Sequence, residues 1–136
     1  MIQRTIAERA LHFSKKYPVV TITGPRQSGK TTLVQNLFKE HEYFSLENPV
    51  TRKQVEEDPI YLFQPKGKKV IIDEIQRLPE LLSFIQDQSD RQKINGQFVI
   101  TGSQSLLLSD KVAQSLARRT AILKLLPLSF IELKGI

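Results

Sequence analysis

Gly24-Pro25-Arg26-Gln27-Ser28-Gly29-Lys30-Thr31 follows the Walker A pattern G-x-x-x-x-G-K-[ST] in full. Each residue type has a task if the ligand is a chain of phosphates. Such a ligand needs many donors close to it and no side chains in the way. Gly24 and Gly29 allow the backbone to turn so that successive N–H groups point inward. A helix starting near Lys30 adds its N-terminal amides and the positive end of its dipole. Lys30 carries a mobile positive charge to the β- and γ-phosphates of ATP or GTP, and the Thr31 hydroxyl suits Mg2+. Arg26 is expected to face solvent. Gly24, Pro25, Arg26, Gln27, Ser28, Gly29, Lys30, Thr31 and Thr32 are therefore the candidate nucleotide contacts.

Val70-Ile71-Ile72-Asp73-Glu74 is an apolar run that ends in two carboxylates. By itself it could be a strand end with two surface acids. Beside a phosphate loop it reads as the second half of a phosphoryl-transfer site, where positioning and charge neutralisation matter more than covalent chemistry. Asp73 would hold Mg2+ through water, and Glu74 would polarise the attacking water. A glutamate at that place points to hydrolysis beyond binding alone. Val99-Ile100-Thr101-Gly102-Ser103-Gln104 ends a third apolar run in small and polar groups. Ser103 is the first choice there for contact with the γ-phosphate or the water, and Gln104 the second. Ser103 would serve equally well as a helix N-cap. Of Arg118 and Arg119, one could reach a neighbour's nucleotide as an arginine finger, although a surface pair on a basic face is the simpler reading. His12 and His41 stand alone, without metal-ligand spacing around them, and the absence of cysteine excludes disulfides and thiolate metal sites.

The elements that must position these groups are legible as an alternation. Gln3 to Lys16 has apolar residues near helical spacing, with Pro18 after it. Val19 to Thr23 reads as a buried strand, broken by Gly24-Pro25. Thr31 to Glu40 reads as a helix, Glu42 to Leu46 as a strand, Val50 to Glu57 as a helix, and Pro59 to Phe63 as a further short one. Lys69 to Asp73 is a strand, and Leu78-Pro79 opens a helix to about Asp90. Asn95-Gly96 marks a turn. Gln97 to Thr101 is a fourth strand, with two helical pieces expected after it, from Ser103 to Lys111 and from Val112 to Ala117. Thr120 to Leu126 is a fifth strand, stopped by Pro127, and a last helical turn follows. The strands are short and apolar with no alternation, as expected of a parallel α/β sheet covered on both faces.

The chain has 136 residues, enough for one domain with a core, and no linker or repeat divides it. The N-terminal stretch lacks the apolar core of a signal peptide, and no run approaches the ~20 apolar residues that span a bilayer. With no cysteine in the chain, the expectation is a soluble cytoplasmic protein without a membrane partner. The net charge of +6 is unevenly laid out. Residues 1–39 hold seven basic and one acidic residue, 40–90 six and eleven, and 91–136 seven and two. Two basic ends make nucleic acid a candidate partner, on charge alone.

Taken in order, the loop from Gly24 to Leu33, then Ile72-Asp73-Glu74-Ile75-Gln76 with Pro79, Thr101-Gly102-Ser103, Ser115-Leu116-Ala117 with Arg119, and Pro127-Leu128-Ser129-Phe130 resemble the N-terminal domain of prokaryotic AAA-type ATPases that carry a C-terminal domain of unknown function. The resemblance covers nearly the whole chain. It implies a P-loop NTPase three-layer sandwich with a five-stranded parallel sheet in the order 5-1-4-3-2, and ATP with Mg2+ in preference to GTP. It implies Lys30 and Thr31 as phosphate and magnesium contacts, Asp73 as the magnesium-side acid, Glu74 as the catalytic base, Ser103 as a sensor and Arg119 as a candidate finger. Because AAA-like domains commonly use a neighbour's arginine, it also makes a homo-oligomer a candidate assembly. The family has Gly where this chain has Arg118, and continues for some hundreds of residues beyond the last motif. Residues 1–136 are accordingly read as an AAA-like ATPase domain in short or truncated form, without its C-terminal lid. Weak turnover, or a nucleotide-binding switch with negligible turnover, is what loss of a lid would leave.

Overall fold

Three short runs of buried, mostly β-branched residues and two less buried edge runs build the sheet. They are β1 (Val19–Thr23), β2 (Glu42–Ser45), β3 (Val70–Asp73), β4 (Phe98–Gly102) and β5 (Thr120–Lys124). The computed structural model describes residues 2–25, 29–64, 67–103 and 120–125. Among these the strands form one sheet in the order β2-β3-β4-β1-β5, which is the expected order read from the other edge. Every neighbouring pair is parallel. All the C-terminal strand ends therefore lie along one edge, with Thr23 opposite Gly102 and Ser45 opposite Asp73. Ligands of open α/β sheets bind outside that edge.

Helices α1 (Ile2–Ser14) and α2 (Lys30–Leu37) contribute to one side of the core, and α3 (Pro49–Glu57) and α4 (Leu81–Gln92) to the other. The two-residue period of a strand sorts the side chains. Val70 and Ile72 join Phe44, Val55, Leu81, Ile85 and Ile100 on one face, whereas Ile71 joins Ile6, Ala10, Val34, Phe38 and Val99 on the other. Coverage of both faces explains why β1, β3 and β4 are buried along their whole length. The edge strands depart from the uniform apolar pattern expected of them. In β5, Ala121 and Leu123 are buried while Ile122 and Lys124 are exposed, and Glu42 of β2 is exposed.

Local signals account for most boundaries. Asn48 caps α3, its Oδ1 accepting from the N–H groups of Val50 at 2.9 Å and Thr51 at 3.4 Å, with Pro49 at the first helical position. The segment Pro59–Phe63 is a 3-10 helix. The helix expected to open at Leu78 starts later, at Leu81. Leu78 lies outside the helical region, with φ −148° and ψ 69°, because a residue before proline is disfavoured in the α region. A 3-10 turn over Ile75–Arg77, not signalled by periodicity, fills the gap. The predicted Asn95-Gly96 turn ties α1 to β4. Gly96 has φ 72°, its N–H donates to Tyr17 O at 2.8 Å, and a Cβ there would stand 2.7 Å from Ser14 O. The helical pieces expected after Ser103 and after Pro127 lie outside the described residues, as does Leu126.

Candidate functional site

The phosphate loop leaves β1, which lies between β4 and the edge strand β5. Gly24 is buried, and its N–H donates to Gly102 O at 3.2 Å, which pins the start of the loop to the end of β4. Gly29 at the loop's other end has φ 87° and precedes the first residue of α2. That left-handed conformation is one a side chain rarely adopts, which gives glycine a reason to stand there. Helix α2 begins at Lys30, as its loop pattern requires, and ends at Leu37, three residues earlier than expected. Arg26, Gln27 and Ser28 lie outside the described residues, and Thr32 is exposed on α2.

The turn brings Lys30 and Thr31 to the carboxylates at the end of β3. Thr31 Oγ1 donates to Asp73 Oδ2 at 3.0 Å. Lys30 Nζ lies 3.1 Å from Glu74 Oε1 and 3.4 Å from Pro25 O. These are buried charges, with Lys30 6%, Asp73 3% and Glu74 8% exposed. Buried charges need partners, and each has them.

Three of those partners were not singled out from sequence. The Thr101 hydroxyl on β4 donates to Asp73 Oδ1 and accepts from the Glu74 N–H at 2.9 Å, so it is satisfied in both directions. Tyr43 on β2 donates its hydroxyl to Asp73 Oδ2. Burial, followed by that bond and the negative charge of Asp73, pushes the Tyr43 phenol well above its ordinary value of 10. Gln76, in the 3-10 turn, donates Nε2 to Glu74 Oε2 at 2.7 Å and accepts from the Ser103 N–H at 3.2 Å. The signal for Thr101 and Tyr43 is the parity of neighbouring strands. Register sets Tyr43 opposite Ile71 and Ser45 opposite Asp73, and Thr101 follows Ile100, the partner of Ile72.

Glu74 itself adopts φ 62° and ψ 53°, unusual for a residue with a side chain and costing about 1–2 kcal/mol. The observed outlier turns the chain sharply from β3 into the 3-10 turn and leaves both carboxylates at the strand end. Ser103 follows β4, half-buried, on the same edge. Gln104, Arg118 and Arg119 lie outside the described residues.

A parallel sheet in this order, with a glycine loop after β1 and an acidic pair two strands away at the end of β3, is the core of a P-loop domain of the AAA type. The chain belongs to the AAA domain family, whose pattern matches residues 16–134. Two uncharacterised proteins, of Mycobacterium bovis and Mycobacterium tuberculosis, are each 38% identical over 119 residues, covering 86% of this chain and 26% of the relative. The chain thus spans about a quarter of the length of the curated relatives it matches. In fold it is similar to the DnaC helicase loader, with a TM-score of 0.56 at 15% identity over 89% of this chain and 86% of that one. It is also similar to a signal-transduction ATPase with a tetratricopeptide-repeat sensor from Pyrococcus horikoshii, with a TM-score of 0.54 at 12% identity over 87% and 22% of the two chains. No helix among the described residues is long and apolar enough to cross a membrane.

Proposed function

We propose that this domain binds ATP with Mg2+ and hydrolyses it to ADP and phosphate. The observation that carries the reading is the meeting of four groups from two separate motifs, Lys30 and Thr31 with Asp73 and Glu74.

The donor set fits magnesium. Mg2+ prefers hard oxygen ligands and keeps several waters, so it is held through one or two carboxylates with phosphate oxygens. The Thr31 hydroxyl and the Asp73 carboxylate, already 3.0 Å apart, supply that kind of chemistry. When bound, Mg2+ neutralises charge on the phosphate oxygens.

The chain's own groups then divide the work. The loop amides and the start of α2 would cradle the phosphates. Lys30 would move from Glu74 to the phosphate chain, and Glu74, released on that oxygen, would orient the attacking water and take its proton. Water oxygen bonds to the γ-phosphorus as the bond to the ADP oxygen breaks. Ser103 would contact the γ-phosphate side. Arg119 stays in the proposal as a finger toward a neighbouring copy of the chain. The second reading, a nucleotide switch with negligible turnover, is favoured by the Lys30–Glu74 pair, which ties together the two groups that turnover must separate.

The test is ATP turnover with Mg2+, comparing wild type with Glu74→Gln, which keeps an acceptor for Lys30. Turnover that vanishes in the variant supports hydrolysis. Binding of ATP without turnover in either selects the switch. Lys30→Ala that binds ATP as tightly as wild type refutes the phosphate assignment.

A further inference from the structure

We infer that Gln76 is a positioning residue, one that holds the Glu74 carboxylate in its working orientation and couples it to the end of β4. The inference rests on the ATPase reading above and gives a role to Gln76, which lies outside the glycine loop and the acidic pair.

A single side-chain amide makes both contacts. Its Nε2 donates to Glu74 Oε2 at 2.7 Å, and its Oε1 accepts from the Ser103 N–H at 3.2 Å. An amide has its donor and acceptor at opposite corners, so one planar group spans two elements that are far apart in sequence. The left-handed backbone of Glu74 makes this span feasible. It folds the chain directly into the 3-10 turn, whose residues return over the strand end, and Gln76 is only two residues from the carboxylate it holds.

The consequence follows from the partners of Glu74. Its Oε1 faces Lys30 at 3.1 Å and its Oε2 faces Gln76. In the proposed reaction Lys30 leaves for phosphate, and Oε1 becomes the oxygen that meets water. Gln76 is then the remaining side-chain contact recorded for the carboxylate. Without it the terminal torsion of Glu74, broad and weakly restrained in glutamate, is free to turn. The backbone N–H of Ser103 lies beside the side chain proposed to meet the γ-phosphate. A shift of that segment is passed through the amide to the base. A displacement of 1 Å at a reacting group can cost about a hundredfold in rate.

The experiment compares wild type, Gln76→Met and Gln76→Glu, measuring kcat and KM for MgATP, affinity for a non-hydrolysable ATP analogue, and thermal unfolding. Met keeps the length and loses both hydrogen-bonding atoms. Glu keeps the acceptor for Ser103 but sets a carboxylate against Glu74, so each variant samples the bridge differently if the other fails to fold. The expected result is a fall in kcat of roughly tenfold or more in each folded variant, with KM and analogue affinity within about threefold of wild type. Adding Gln76→Met to Glu74→Gln should then cause no further loss. A folded variant with kcat within twofold of wild type overturns the positioning role. So does a variant whose KM and analogue affinity collapse together with kcat, because that marks a general support of the pocket. Wild type that binds the analogue but never turns over ATP overturns the hydrolytic reading itself, and the role of Gln76 with it.

Discussion

Two threonines buried at the ends of adjacent strands should respond in opposite directions to the same substitution. Thr101 and Thr23 are both fully buried, and valine matches threonine in shape. The Thr101 hydroxyl donates to Asp73 and accepts from the Glu74 N–H. Thr101→Val removes a hydrogen bond to a carboxylate, typically ~1.5–3 kcal/mol, and strands a buried N–H, at ~1–3 kcal/mol. The added methyl returns about 0.8 kcal/mol of apolar burial, leaving a net destabilisation of roughly 2–5 kcal/mol. The Thr23 hydroxyl, by contrast, is buried with no hydrogen-bond partner among the described residues. Thr23→Val removes a group whose desolvation is uncompensated, and should stabilise by about 1 kcal/mol.

Urea unfolding measures both, since stability falls linearly with denaturant at a slope of ~1–3 kcal/mol per molar for small proteins. The midpoint of Thr101→Val should drop by on the order of 1–2 M, and that of Thr23→Val should hold or rise. The comparison cancels the generic cost of β-branched replacement in a parallel strand. Valine variants equal in stability within about 0.5 kcal/mol, the scatter of neutral substitutions, would refute the claim that Thr101 organises the acidic pair.

Tyr43→Phe keeps the ring and removes a donor to Asp73; urea unfolding should show a loss of about 1–2 kcal/mol. In wild type the Tyr43 phenol is raised above 10, so its contribution is complete below pH 10 and is lost as pH climbs through the folded value, which ultraviolet titration of tyrosinate will follow. His41 moves the other way. Burial, first among the causes, lowers it below 6.5, its Nε2 is bonded to Gly96 O at 2.6 Å, and its buried Nδ1 has no partner in the described structure. The stability it contributes is present above pH 6.5 and is lost as pH falls through the depressed folded value. Unfolding at pH 5 and pH 7.5 should show a smaller pH dependence in His41→Gln than in wild type. Gly96→Ala forces a side chain onto φ 72° and against Ser14 O; the melt should report a loss of about 2 kcal/mol or more.

The strands and the phosphate loop were legible because they rest on short-range chemistry, whereas the sheet order came only with the resemblance to the AAA-type family. The strand Val19–Thr23, the glycine turn and α2 lie in one continuous stretch, and each residue type restricts its own backbone. The boundary at Leu81 was misplaced because the apolar spacing of Leu78, Leu81 and Leu82 continues across Pro79, while the backbone of Leu78 answers to the proline. The supporting groups of the site were hidden for another reason. Thr101 reads as one more β-branched strand residue, and Tyr43 as an ordinary aromatic on an edge strand. Their function depends on which strands lie side by side, and β2, β3 and β4 are brought together only by the crossovers. Gln76 stood in the family motif, but its contact with Glu74 was hidden because it depends on the left-handed backbone of Glu74, which no propensity favours.

Those exceptions are concentrated at one place, and physical cost explains why that matters. A buried lysine–carboxylate pair adds little net stability, since desolvation offsets attraction. A left-handed glutamate and a buried threonine with no hydrogen-bond partner among the described residues each weaken the fold further. Away from the site the buried residues of the described core are mostly apolar, with Gln97, Ser89 and Thr21 among the polar exceptions. Lys30, Asp73, Glu74 and Thr23 lie within the few residues flanking the C-terminal ends of β1 and β3. An apolar set at these positions would make a steadier domain, but it could not hold a phosphate chain or turn a water. The order of the sheet and the composition of its edge thus answer to different demands, the first to packing and the second to the chemistry proposed for it.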